Sequence, residues 1–149
     1  MTEMTPMNPA EEVEILVAED EDLDRFLIES ALKAKRLSNR VRFFENGERL
    51  LDYLYSESTL NAHERYVVLT DLNMPIMNGF ELITAMNNDS RLVKVPVFVL
   101  TSSADDDDVA RAMELGVTGY ITKEKAGDDF LNCIQMMGKW IKVCSILPV

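Results

Sequence analysis

The chain has 149 residues, 47% of them apolar and 28% charged, enough for one domain with a proper core. Lys and Arg number 15 against 26 Asp and Glu, a net charge of −11, which argues against a nucleic-acid module held by phosphate neutralisation. No apolar run approaches the ~20 residues that span a bilayer, and the N-terminus lacks a signal pattern, so a soluble cytoplasmic domain with no nucleic-acid or membrane partner is expected.

Residues 1–12 are polar and interrupted by Pro6 and Pro9, which predicts a flexible leader ahead of a domain over 13–144 and a short tail over 145–149. Five apolar runs follow as predicted strands: Val13 to Ala18, Val41 to Phe44, Tyr66 to Thr70, Val95 to Leu100 and Val117 to Thr122. The first, third and fourth are nearly continuous in Val, Ile, Leu and Phe, as in parallel strands covered on both faces. Helical spacing fills the gaps. Leu23, Phe26, Leu27, Ala31 and Ala34 make one stripe, and Leu50, Leu51 and Leu54 a second. Phe80, Leu82, Ile83 and Met86 follow the breakers Pro75, Asn78 and Gly79, and Val109, Ala112, Met113 and Leu115 are stopped by Gly116. Strand and helix alternate, which specifies an α/β domain with a parallel sheet and right-handed crossovers. The 27 residues after the fifth strand leave no room for a second folded domain.

In such sheets ligands bind beyond the carboxyl ends of the strands, where strand order reverses. Strand one ends in Glu19-Asp20, strand three runs into Asp71, strand four ends in Thr101-Ser102 and strand five in Tyr120-Ile-Thr-Lys123. If strands one and three are neighbours, three carboxylates converge and repel one another. A hard divalent cation such as Mg²⁺ resolves that repulsion while keeping several waters. Lys123 could then neutralise an incoming phosphoryl group and Thr101 hydrogen-bond to it, with a carboxylate as nucleophile. The competing reading is that strand ends are polar because loops are solvated. One acid fits that explanation, but four strand ends that together compose a site do not.

Through the motifs Ile-Leu-Val-Ala-Glu19-Asp20, Asp71-Leu-Asn73-Met-Pro75 with Gly79, Leu-Thr101-Ser and Gly-Tyr120-Ile-Thr-Lys123, the chain resembles the receiver domain of two-component response regulators from Ile15 to about Ile141. The resemblance implies a flavodoxin-like (CheY-like), doubly wound, five-stranded parallel sheet of order 2-1-3-4-5 with five helices. It implies Asp71 as phosphoacceptor, Glu19 and Asp20 as the metal-binding acidic pair, and Asn73 as donor of a metal-ligating backbone carbonyl. Lys123 matches the phosphate-contacting lysine, and Thr101 and Tyr120 match the switch pair. The implied cofactor is Mg²⁺, and the implied partner a sensor histidine kinase or phosphotransfer protein that carries the phosphohistidine. On this view the protein is not an enzyme beyond its own phosphorylation and dephosphorylation, and signals through protein contacts. Two departures stand out. Glu19 replaces the more usual aspartate, a common variant, and Glu124 follows Lys123 where the family has a proline in a cis bond. A non-proline cis bond costs ~2.5–4 kcal/mol, so the family's loop geometry is not transferred there. One alternative, an aspartyl-phosphate phosphatase or phosphotransferase, generally needs a second acid two residues beyond the nucleophile, where this chain has Asn73. A degenerate receiver acting as an interaction module is the other.

Asp105 to Asp108 fall at the start of the fourth helix, where each acid complements the positive helix end by ~0.3–1 kcal/mol; a basic partner's docking site is the functional counterpart. His63, the single histidine, lies in Asn61-Ala-His-Glu-Arg65, read as a surface loop without a catalytic role. In the C-terminal segment Phe130, Ile134, Met137 and Ile141 form a core-facing stripe, while Cys133, Met136, Trp140 and Val143 form a second. A helix apolar on two faces needs another surface, so a homodimer or kinase contact is expected, against the simpler fold-back of the tail on its own domain. If Cys133 and Cys144 share that helix, they stand roughly 16 Å apart along its axis, too far for an internal disulfide. Free thiols or an intermolecular bridge remain. The long fifth helix and Ile-Leu-Pro ending are similar to the small stand-alone regulators that partner bacterial phytochromes. Trp140→Asp is expected to leave the fold intact and shift the sedimentation coefficient; an unchanged coefficient from folded protein rules out that dimer interface.

Overall fold

The computed structural model describes residues 13–34, 39–57 and 61–123. The leader, the expected C-terminal helix and tail, and with them Cys133, Met136, Trp140 and Val143, lie outside the described residues. Five strands alternate with helices: β1 (Glu14–Ala18), α1 (Asp22–Ala34), β2 (Val41–Phe44), α2 (Gly47–Ser56), α3 (Ala62–Arg65), β3 (Tyr66–Thr70), α4 (Gly79–Asn87), β4 (Val97–Thr101), α5 (Asp106–Glu114) and β5 (Gly119–Thr122). All neighbouring strands pair in parallel, in the order β2-β1-β3-β4-β5. The expected doubly wound topology is therefore present. Four of its helices are α1, α2, α4 and α5; the fifth described helix, α3, was expected as a loop.

The two-residue period of the strands sorts their side chains onto two cores. Leu16, Ala18, Val68 and Val99 point to the face covered by α2, α4 and Ala112 of α5. Ile15, Val17, Val67, Leu69, Phe98 and Leu100 point to the face where α1 contributes Ile28, Ala31 and Leu32. β3 and β4 are buried throughout and β1 nearly so, whereas the edge strands β2 and β5 are mostly half-buried, which is why their sequences are less uniformly apolar.

Two helical faces differ from expectation. On α1 the stripe Leu23-Phe26-Leu27 is exposed, at 68%, 65% and 45%, and Ile28, Ala31 and Leu32 are the buried set. The helix carries two overlapping apolar stripes, and packing against the sheet selects the second. On α5, Met113 is 56% exposed and Ala112 is buried, because a small residue lets the helix lie close to its neighbours. The 61–65 segment is one helical turn: Asn61 takes the left-handed conformation at φ 59°, which Asn tolerates, and Ala62 is fully buried. His63 sits on that turn, 4.0 Å from Glu64. Helix starts follow their caps. Asn46 Oδ1 accepts from Arg49 N, Asn78 and Glu81 form a reciprocal capping box, and Asp105 accepts from Asp107 N ahead of three first-turn acids. Among the described residues no helix is long and apolar enough to cross a membrane.

Candidate functional site

The chain leaves the sheet at the carboxyl ends of β1 and β3, the neighbouring strands from which the connections diverge. Glu19 N still donates to Phe44 O at 3.0 Å, and Asp71 N donates to Ala18 O at 3.0 Å. Both carboxylates are therefore carried on backbone that extends the ladder. Glu19 and Asp71 are buried, at 1% and 6% exposure, while Asp20 faces solvent. Oxygens of Glu19, Asp20 and Asp71 all lie within 4.8 Å of one another. The expected convergence of three acids is present.

Lys123, the residue after β5, reaches these acids directly. Its Nζ lies 2.9 Å from Glu19 Oε2, 2.9 Å from Asp71 Oδ2 and 2.6 Å from Asp24 Oδ2. The ammonium is thus in direct contact with three carboxylates, two of them from the convergent cluster. Residue 124, where the expected departure from proline falls, lies outside the described residues. Burial pushes the Glu19 carboxyl up to about 7, the Lys123 hydrogen bond working against it and the Asp71 charge with it. For Lys123 burial works to lower the ammonium's affinity for its proton, but its three carboxylate partners outweigh burial and raise it.

Asp71 is held from both sides. Its Oδ2 receives Lys123, and its Oδ1 accepts from Leu72 N at 2.7 Å and Asn73 N at 3.4 Å. The loop beyond it folds back tightly: Met77 N donates to Pro75 O across Ile76, whose φ is 69°, and Gly79 N donates to Leu72 O. A Cβ on Gly79 would stand 2.3 Å from Asp71 O and 2.9 Å from Leu72 Cα, so only glycine lets the start of α4 approach the phosphoacceptor candidate's own peptide. Asn73 is exposed at the rim.

Thr101 is completely buried at the end of β4, its Oγ1 accepting from Ser103 N at 3.3 Å. Tyr120 on β5 donates its hydroxyl to Ser103 O at 2.8 Å, and its half-buried ring packs against the core. Ser103 Oγ in turn donates to Asp108 Oδ2 at 2.6 Å. Ser103 therefore links both residues of the expected switch pair to the acidic start of α5. Sequence reading missed Ser103 and Asp24. For Asp24 a signal was available: a helix starting at residue 22, directly after the acidic pair, must present its first turn to the pocket.

The donor set of Glu19, Asp20 and Asp71, two buried carboxylates and one water-facing carboxylate, fits a hard divalent cation that retains waters. It does not fit zinc, which favours His and Cys.

Comparison with known proteins agrees with this geometry. Residues 15–135 match the family described as the response regulator receiver domain. Response regulator Rcp1 of a Synechocystis strain is 30% identical over 122 residues, covering 81% of this chain and 83% of its own. The crystal structure of the phosphorylated cyanobacterial phytochrome response regulator RcpA superposes with a TM-score of 0.76 at 28% identity, covering 93% of this chain and 99% of that one. A Mn²⁺-bound form of response regulator Rcp1 gives a TM-score of 0.74 at 27% identity, with coverages of 92% and 98%. Receiver domains are in general signalling proteins and not enzymes. The matched span takes in all five described strands but for the first residue of β1, and the whole carboxylate cluster with its lysine, and on that ground the chain belongs to the response regulator receiver family.

Proposed function

We propose that Asp71 accepts a phosphoryl group from a phosphohistidine on a sensor histidine kinase, of the phytochrome type, or on a phosphotransfer protein. The observation that carries this reading is the 2.9 Å contact of Lys123 Nζ with Asp71 Oδ2 beside the three-carboxylate cluster. A Mg²⁺ ion held by Glu19, Asp20, Asp71 and the Asn73 carbonyl would supply charge neutralisation for the attacking and transferred groups. Asp71 attacks phosphorus, a P–O bond forms as the P–N bond breaks, and the imidazole leaves with the electron pair. The backbone N–H groups of Leu72 and Asn73 hold Asp71 Oδ1 in place, and Lys123 offers its ammonium to the oxygen charge that develops. Water later hydrolyses the acyl phosphate.

Thr101 then exchanges its acceptor role toward Ser103 N for a hydrogen bond donated to the phosphoryl oxygen. Ser103 also holds Tyr120 and Asp108, so loss of that contact loosens the β4–α5 connection and both of its ties at once. A two-state surface around α5 and β5 is thereby biased. Output passes through protein contacts in the cytoplasm, with a homodimer formed through residues 130–143 including Cys133, Met136, Trp140 and Val143. The organisation is a leader over 1–12, the receiver over 13–144 and a tail over 145–149. The test is to incubate the protein with phosphoramidate and Mg²⁺ and map the modification by mass spectrometry. One phosphoryl group on the peptide containing Asp71, absent when the metal is chelated, is the expected result. Label on another residue, or label unaffected by chelation, overturns the reading.

A further inference from the structure

Asp24 belongs neither to the acidic pair nor to the phosphoacceptor, yet it makes the shortest of the three Lys123 contacts, 2.6 Å against 2.9 Å for the other two. An ammonium has three donors, and here each has its own carboxylate: Glu19, Asp71 and Asp24. Glu19 and Asp71 also belong to the cluster whose oxygens lie within 4.8 Å of one another, and Asp24 does not. A carboxylate engaged with a cation is a weaker partner for Lys123. Asp24, outside that cluster, remains available to the ammonium when a cation engages the other two.

Its platform is fixed as well. Asp24 sits in the first turn of α1, where Arg25 Nε donates to Glu19 O at 2.6 Å and Glu21 N donates to Glu19 Oε1 at 3.2 Å, so that turn is tied to the pocket by two further bonds. Lys123, by contrast, stands at the end of an edge strand and is followed by Glu124, so no proline ring stiffens the backbone after it. Asp24 and Lys123 are only 18% and 16% exposed, and their attraction is less screened than that of a surface pair.

We propose, resting on the phosphoacceptor reading of Asp71, that Asp24 is a positioning residue: it anchors the Lys123 ammonium from helix α1, keeping it off full occupancy of the cation cluster and aimed at the oxygens of Asp71. Without it Glu19 and Asp71 are left as the carboxylate partners of the ammonium, which then competes more strongly with Mg²⁺ for them and is less free to meet an incoming phosphoryl group.

A double-mutant cycle tests this on the full chain with Asp24→Asn, Lys123→Ala and the pair. Mg²⁺ affinity is read by calorimetry, and the rate of phosphorylation by phosphoramidate at saturating Mg²⁺ is read alongside. In the wild-type background Asp24→Asn is expected to weaken Mg²⁺ binding about fivefold or more and to slow phosphorylation, with Asp24→Glu restoring most of the rate. In the Lys123→Ala background it is expected to have little effect on affinity. A ratio of the two affinity effects below about twofold shows that Asp24 is only a nearby charge and overturns the proposal; a larger ratio supports it. The cycle is repeated with Asp24→Ser, so a folding defect in one variant still leaves a decision. Failure of the wild type to be labelled on Asp71 sinks the phosphoacceptor reading instead, and is recognised separately because the affinity cycle needs no phosphodonor.

Discussion

Asp71→Asn is expected to abolish phosphoryl uptake, with label from phosphoramidate or a cognate kinase falling below detection. The amide oxygen carries no charge and is a poor nucleophile toward phosphorus. Glu19 is the nearest buried carboxylate, but it is 1% exposed and in contact with Lys123, so a donor cannot reach it. The same substitution changes stability little. The amide keeps an oxygen that can accept from Leu72 N and Asn73 N, and one of three mutually repelling acids is removed while Lys123 keeps two carboxylate partners. Chemical denaturation should therefore place the variant within about 1 kcal/mol of wild type. Uptake that persists in the folded variant would remove Asp71 from the role assigned to it.

Gly79→Ala is expected to produce the largest loss of stability for one added methyl group. The new Cβ would lie 2.3 Å from Asp71 O and 2.9 Å from Leu72 Cα, and both obstacles are backbone. Relief requires α4 to move away from the β3 exit or the Asp71–Leu72 peptide to rotate. The first breaks the bond from Gly79 N to Leu72 O, and the second swings the Asp71 carboxylate away from Lys123. A cost of about 1–3 kcal/mol or more in denaturant unfolding is expected, together with weakened Mg²⁺ binding. Gly116→Ala is the informative comparison. Gly116 has φ 79° with no atom within 4 Å of a Cβ, so the cost there is about 1–2 kcal/mol of backbone strain with no effect on the cation. Equal Mg²⁺ affinity in Gly79→Ala and wild type would show that the close approach of α4 does not hold the site.

Much of this architecture was legible from the residues. Val41–Phe44 and Tyr66–Thr70 are strands over the same bounds read from their apolar runs, since turn-forming or charged residues flank both. The strand-end acids, Thr101, Tyr120 and Lys123 were legible because a parallel sheet delivers every carboxyl end to one rim. The rotation of α1 was not. Its two apolar stripes overlap along the helix, and choosing between Leu27 and Ile28 depends on the sheet beneath, which no local period records. The same rotation decides where Asp24 points: the helix start brings its turn to the pocket, but the contact with Lys123 depends on that rotation. Nor was α3 visible: a single turn has too few residues to show a period, and its cause is the burial of Ala62.

Lys123 meets Asp71 across 52 positions of chain and Asp24 across 99, so no short stretch of this polypeptide holds the whole pocket. A nascent chain displaying its first three strands already carries the acids but lacks their counterweight. The pocket is therefore complete only once β5 pairs with β4 and delivers Lys123 to acids carried by the opposite half of the sheet.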